Sequence, residues 1–462
     1  MTPPGAAPPR AATLRFAALG IGLVALTAGG LALHRPGAVD IGSHARIDGF
    51  VALAVTATLL YFAAIAQLQR APLPRAALWI VLGVALVTRL IALAGPPFLS
   101  SDIYRYVWDG RVQAAGINPY RYIPDAPALA PLRDAAIYPH IGRRDTARTI
   151  YPPVAQMLFF GVTRIGATIF TMKAAMLALE LLAIGVMLHL LRVAGRPQAA
   201  ILIYAWNPLT PWEFAGNGHI DAAALVFIAL ALLAATWRRT GLAALALAAA
   251  TLCKLLPVAL APALWRRWDR LLPAAFVAAV AVAYLPYLGA GTHILGYLPG
   301  YTKEEGLRSG RGIEWLDLVG HVVTLPRWVG PAYVGLALLL LAALALRIAW
   351  RPALPLDPAA RLRIIGRDML VLATATTAVL TPHYPWYYGW LAYFACLTPA
   401  ASSIWLAVAV VLFYAAPASI APPLHAAVWS VFLGLVIWDI RKIRPGALPL
   451  DPGRGQSSPA PL

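Results

Sequence analysis

Eight apolar runs, near 14–33, 50–68, 76–94, 174–192, 219–237, 270–289, 331–350 and 422–440, constrain this chain more than any other feature. Each is about twenty residues long, enough for a helix rising about 1.5 Å per residue to cross the ~30 Å apolar core of a bilayer. Lipid offers the backbone no hydrogen-bonding partner, so a continuous apolar run satisfies its own amides only as a helix. The chain therefore reads as an all-α polytopic membrane protein. Its 462 residues are 60% hydrophobic and 12% charged, about half the charge of a soluble domain. The net charge of +18 comes from basic clusters between apolar runs, the pattern of cytoplasmic loops and not of a nucleic-acid surface. Cys253 and Cys396 both lie in apolar runs and supply neither a disulfide framework nor a thiolate metal site.

Arg10 and Arg15 put the N-terminal tail, residues 1–13, on the cytoplasmic side. Arg70 and Arg75 are then inside after two crossings, and the segment beginning at Asp102 is outside after three. Val154–Phe170 decides the rest. Laid flat on the outer surface, it leaves Arg238, Arg239, Arg266, Arg267, Arg347 and Arg351 inside, as the excess of cytoplasmic arginine requires. Gly241–Trp265 must then enter and return on one side. It is too short for two crossings, so it reads as a re-entrant hairpin with Lys254 and Pro257 at its centre. The expectation is one domain over 14–440, a bundle of about 12 spanning helices plus that partial hairpin, with amphipathic outer-surface helices in the first long loop. The tail 441–462, rich in Pro, Gly and Ser, reads as disordered. Four less hydrophobic regions share the outer face: 95–173, Asn207–Asp221, 291–330 and Thr381–Tyr388. No fixed-period repeat and no Walker, Rossmann or zinc motif is present.

Ser101–Arg111 packs two carboxylates, two arginines and three aromatics directly behind a spanning run. Asp102 suits a general base at the membrane surface, but Ser101 and Asp102 also suit a helix cap. Asp109 lies two turns further along the same face, placed to orient an acceptor or to pair with Arg105 or Arg111. Those two arginines suit a phosphate or plain solvation. Glu213, His219 and Asp221 fall at a helix break. They are candidates for sugar contact or, with Asp102, for a divalent cation, the one cofactor these residues admit; the plainer alternative has Asn217 and His219 capping the next helix. Lys254 in an apolar run costs on the order of 2.5–3.5 kcal/mol on insertion scales, so an anion must meet it. A lipid phosphate, Glu180 or Glu213 would serve. His383 stands among aromatics, and the tyrosines around it read as interfacial belt residues. Lys303, Arg308 and Arg311, punctuated by Gly306, Gly310 and Gly312, read as a lid.

In order along the chain, Ser101-Asp102, Tyr104-Arg105-Tyr106, Trp108-Asp109-Gly110-Arg111 and Gly116-Ile117-Asn118-Pro119-Tyr120 open a set of motifs. Tyr151-Pro152-Pro153, Trp206-Asn207-Pro208 with Glu213, Asn217-Gly218-His219-Ile220-Asp221, Lys254-Leu255-Leu256-Pro257 and His383-Tyr384-Pro385-Trp386-Tyr387 complete it. The set resembles the bacterial GT-C class of polyprenyl-phosphate-sugar glycosyltransferases, nearest to the mannosyltransferases of glycosyltransferase family 87 and their alpha-1,6-mannosyltransferase relatives. The resemblance implies a GT-C-like fold in the bacterial inner membrane with the active site facing outward. It implies a hexose, best mannose, moved from a polyprenyl-phosphate-linked donor to an envelope glycan, lipid or protein acceptor. It maps the family's first-loop acidic residue onto Asp102 as base of an inverting displacement. A secondary transporter, or a noncatalytic lipid-binding component of envelope assembly, is the rival reading; the missing repeat counts against the transporter.

Overall fold

A computed structural model describes residues 9–33, 44–70, 75–304, 306, 312–415 and 421–442. Arg308, Gly310 and Arg311 of the expected lid lie outside the described residues, as do residues 1–8 of the N-terminal tail and 443–462 of the C-terminal one. Among the described residues every regular element is helical. Seven helices are long and apolar enough to cross a membrane singly. They are α1 (Pro9–Ala32), α2 (His44–Arg70), α3 (Arg75–Ala94), α6 (Ile169–Val193), α11 (Leu271–Tyr284, prolonged by a 3-10 turn to His293), α14 (Val329–Ala349) and α18 (Ala421–Lys442). Between them lie α4 (Asp102–Ala114), α5 (Pro153–Ile165), α7 (Leu202–Ala205), α8 (Asp221–Thr236), α9 (Thr240–Cys253), α10 (Ala261–Leu264), α12 (Leu298–Glu304) and α13 (Glu314–Gly320). α15 (Pro358–Leu380), α16 (Gly389–Ala395) and α17 (Ala401–Ala409) complete the bundle. The further crossings expected from sequence fall on these shorter or broken segments. One buried apolar cluster runs from Phe16 in α1 to Phe432 in α18.

Arginines collect at one end. Arg266, Arg351 and Arg367 surround Asp368 of α15 at 3.5, 2.5 and 3.5 Å, and the Arg267 amide bonds the Ala349 carbonyl where α14 finishes. The hairpin enters and leaves at this end. α9 climbs from Thr240, the chain turns at Lys254, and a 3-10 turn (Leu256–Leu260) with α10 carries it back to Arg266. Pro257 and Pro262 prevent an unbroken helix on the return.

α5 has 13 residues, about 20 Å of helix and too short to span. It buries Ala155, Gln156, Phe159 and Val162 on one face and exposes the apolar Met157, Phe160 and Ile165 on the other.

Two buried charges lock the bundle. Arg89 of α3 and Glu180 of α6 are fully buried and bidentate, at 3.0 and 2.7 Å. Arg89 also donates to the Ala205 carbonyl and Thr210 Oγ1, while the Tyr204 hydroxyl donates to Glu180. Every charge in this apolar surrounding thus has partners, as burial demands. Lys173 of α6 donates to the carbonyls of Ala92, Leu93 and Gly95, closing the C-terminus of α3.

Candidate functional site

A cavity of about 600 Å³ opens at the end away from the arginine cluster. Asp102 stands on its wall as the first residue of α4, because Gly95-Pro96-Pro97 breaks α3 and lets the chain turn. Asn217 Oδ1 accepts the amides of Phe98 and Leu99, both at 3.1 Å. This ties the approach to Asp102 onto the Asn207–Asp221 break and replaces the helix cap expected of Asn217. The capping alternative for Asp102 also fails. Its amide donates to Ser100 Oγ, the helix end carries no side-chain cap, and no described group hydrogen-bonds its carboxylate. That side chain is 40% exposed, toward the cavity.

Lys254 and Asp221 meet at the hairpin tip, Nζ lying 2.7 and 2.8 Å from the two carboxylate oxygens. Lys254 also sits 3.4 Å from the centre of the Tyr387 ring. The expected partners Glu180 and Glu213 are thereby corrected: Glu180 is held by Arg89, and Asp221 neutralises the lysine. Asp221 commits both oxygens to Lys254. Among the described residues no three acidic, His or Cys groups stand ready to hold a metal ion.

Gly218 takes φ +68, and a Cβ there would fall 2.5 Å from Ile103; this turn presents His219 to Asp102 from behind the cavity wall. The imidazole is fully buried, stacked on Trp386 at 4.0 Å and 18°. Its Nδ1 lies 3.9 Å from Asp102 Oδ2, and its Nε2 lies 3.3 Å from Glu213 Oε2. Glu213 in turn accepts the Tyr414 hydroxyl at 2.7 Å on Oε1. Burial pushes the Glu213 carboxyl up to about 8, although Tyr414, Asn217 and Lys254 favour its anion. Burial likewise pushes His219 down to about 4 against the pull of Asp102 and Asp221.

Among the described residues, Arg105, Arg143, Arg148 and Lys254 are the cations of the wall, and Asp102 is its one acid. Arg143 and Arg148 went unrecognised in the sequence. Arg143 adopts φ +53, rare for a non-glycine, and its Nε meets Glu304 of α12 at 2.8 Å. Glu304 also accepts the Tyr297 hydroxyl, so the two long loops, 95–173 and 291–330, join beside the cavity mouth. Tyr106, Tyr151, Tyr301, Tyr384, Trp386 and Tyr387 supply ring faces to the wall. Tyr384 and Tyr387, expected in a lipid belt, thus belong to the cavity, while Tyr388 is buried with its hydroxyl on the Pro382 carbonyl.

Other candidates stand apart from it. Asp109 is buried between Arg105 Nε at 2.8 Å and Gln156 Nε2 at 2.9 Å, the pairing at helical spacing that its sequence allowed. Arg105 reaches the cavity wall, yet its Nη1 is committed to the Ala147 carbonyl. Arg111 holds Asp134 and the Ala167 carbonyl away from the cavity. His383 places Nε2 3.0 Å from the Gly312 carbonyl and does not line the cavity; the break at Thr381 turns it toward the second outer loop.

Residues 10–270 match the family described as alpha-(1->6)-mannopyranosyltransferase, N-terminal domain. The match takes in Asp102, Glu213, His219, Asp221 and Lys254 and stops short of the Tyr297–Tyr387 side of the cavity. No curated protein and no solved structure matches the chain.

Proposed function

Because the chain belongs to the alpha-(1->6)-mannopyranosyltransferase family, we propose that it moves a mannosyl group from a polyprenyl-phosphate donor to an envelope glycan, lipid or protein. The setting is the outer face of a bacterial inner membrane, with the arginine-rich end in the cytoplasm. The acceptor hydroxyl attacks the anomeric carbon, the bond from that carbon to the phosphate oxygen breaks, and polyprenyl phosphate leaves with the electron pair. Asp102 takes the hydroxyl proton. A single displacement inverts the centre, so an α product requires a β-linked donor.

The observation carrying this reading is the composition of the wall among the described residues: one acid, free of hydrogen bonds there, and four cations. A cavity so charged suits a departing phosphate with one base beside it. Aromatic faces suit the apolar faces of a sugar ring. Beyond Lys254 a narrow cleft continues between α8 and the hairpin, lined by Leu225, Ile228, Leu256, Pro257 and Trp390. Lys254, at the junction of the two, would take the phosphate. Nothing in the geometry favours the transporter reading.

The test is a panel of polyprenyl-phosphate sugars given to the purified protein with a mannose-terminated acceptor. Consumption of the mannose donor and appearance of a new glycosidic linkage are expected. Solute movement across vesicles with no donor consumed would refute the proposal.

A further inference from the structure

Three buried polar atoms behind the cavity wall lack a hydrogen-bond partner: Glu213 Oε2 and both ring nitrogens of His219. Leaving such atoms unmade costs about 1–3 kcal/mol each, so their clustering calls for a physical reason. They form a line. Tyr414 donates to Glu213 Oε1, Glu213 Oε2 faces His219 Nε2 at 3.3 Å, and His219 Nδ1 faces Asp102 Oδ2 at 3.9 Å. Stacking on Trp386 fixes the plane of the imidazole between the two carboxyls.

A neutral imidazole in contact with a carboxyl carries its one ring proton on either nitrogen, and the protonation of the carboxyl sets which one, and so what Asp102 meets. If Glu213 is ionised, the ring proton sits on Nε2 and a lone pair on Nδ1 opposes the Asp102 carboxylate. If Glu213 is protonated, it donates to Nε2, and the ring's single proton sits on Nδ1, pointing at Asp102. Tyr414 donating to Oε1 leaves Oε2 as the oxygen to bear the proton. Tyr414, Asn217 and Lys254 favour the ionised carboxyl, whereas Asp102 and Asp221 favour a charged ring and Lys254 a neutral one; burial outweighs the pulls toward charge.

We propose that Glu213 is a positioning residue for transfer: its carboxyl proton, donated to His219 Nε2, fixes the imidazole proton on Nδ1, where it hydrogen-bonds and orients the Asp102 carboxylate once substrate closes the site. The 3.9 Å gap is too long for a hydrogen bond, and catalytic contacts of this kind shorten in the Michaelis complex. No proton is consumed or released in the line; it selects a tautomer. The inference rests on Asp102 being the base. It predicts a limit that the base alone would not impose: raising pH through about 8 strips Glu213, moves the ring proton to Nε2 and turns an attraction on Asp102 into a repulsion.

The experiment is a pH–rate profile with polyprenyl-phosphate mannose and an α-(1→6)-linked mannose disaccharide, for the full chain, Glu213→Gln, Glu213→Leu and Asp102→Asn. The unmodified protein should lose kcat above about pH 8, approaching tenfold per pH unit as for one essential proton. Glu213→Gln keeps a donor that does not titrate, so kcat at neutral pH should fall about three- to tenfold while the alkaline fall disappears and the donor KM holds. Glu213→Leu should lose kcat about a hundredfold or more at every pH, again with KM unmoved. An alkaline limb persisting unchanged in Glu213→Gln overturns the inference. So does an effect of both Glu213 variants on KM alone. Full activity in Asp102→Asn would instead strike the reading beneath it, so the two failures are told apart. Should Glu213→Leu not fold, the Glu213→Gln profile decides alone.

Discussion

Replacing Lys254 with glutamine separates phosphate recognition from architecture, because the structure fixes what each role would lose. The side chain is 15% exposed, and its ammonium pairs with Asp221 at 2.7 Å and lies over the Tyr387 ring. If it also receives the donor phosphate, glutamine removes a charge-assisted hydrogen bond of roughly 1.5–3 kcal/mol. At about 1.4 kcal/mol per decade, donor affinity falls about ten- to a hundredfold. The cost in stability should be smaller than the ~3–5 kcal/mol of a sealed ion pair, since the Asp221 side chain lines the adjoining cleft and keeps 15% exposure, so its carboxylate can regain water; about 1–2 kcal/mol is expected. Donor binding, by displacement of a fluorescent polyprenyl phosphate, and melting temperature are read on the same preparation. Asp221→Asn supplies the sign. It removes the carboxylate that competes with phosphate for the lysine, so donor affinity should hold or tighten. Unchanged donor affinity in Lys254→Gln, with a clear fall in melting temperature, would refute phosphate recognition. Weakening in both variants would assign the effect to the pair.

Two further perturbations test the frame. Glu180→Gln strands the Arg89 guanidinium, which has no exposure, and should cost about 3–5 kcal/mol of stability, read by thermal unfolding in detergent; an unchanged midpoint would contradict the locking role. Gly296 takes φ +55, and a Cβ there would sit 1.8 Å from the Thr149 carbonyl oxygen, so Gly296→Ala must pull the second long loop off the first. The Tyr297 amide, now bonded to Thr149 at 3.0 Å, should lose hydrogen-exchange protection and turnover should drop while the melting temperature changes little. Retained protection would show that the loops dock by other contacts.

The spanning helices were legible because a continuous apolar run has one solution in lipid, and the hairpin because arginines on both sides of a short apolar stretch cannot face opposite ways. Lys254 was legible as a charge needing a counter-charge, but its partner was not chosen correctly. In retrospect the geometry was present: α8 and α9 are antiparallel, and Asp221 and Lys254 lie almost equally far, in opposite directions, from the turn at Arg238. The engagement of Arg105 by Asp109 could be anticipated from helical spacing. Arg143 and Arg148 gave no such signal, since their place on the wall depends on how a long irregular loop folds and on a positive φ at Arg143. The aromatic cavity side misled for a related reason. Composition cannot tell a lipid-facing tyrosine from one turned inward by the break at Thr381, and the same break carries His383 away.

Everything chemical in this reading converges on Asp102, whose carboxylate is the one acid of the cavity wall among the described residues. Asp102→Asn keeps the shape of the side chain and removes the base. With polyprenyl-phosphate mannose as donor, transfer by this variant should fall by about 10²–10⁴, while the melting temperature and donor affinity stay near those of the unaltered chain. Near-normal transfer by a folded Asp102→Asn protein would contradict the assignment of the base and, with it, the mechanism.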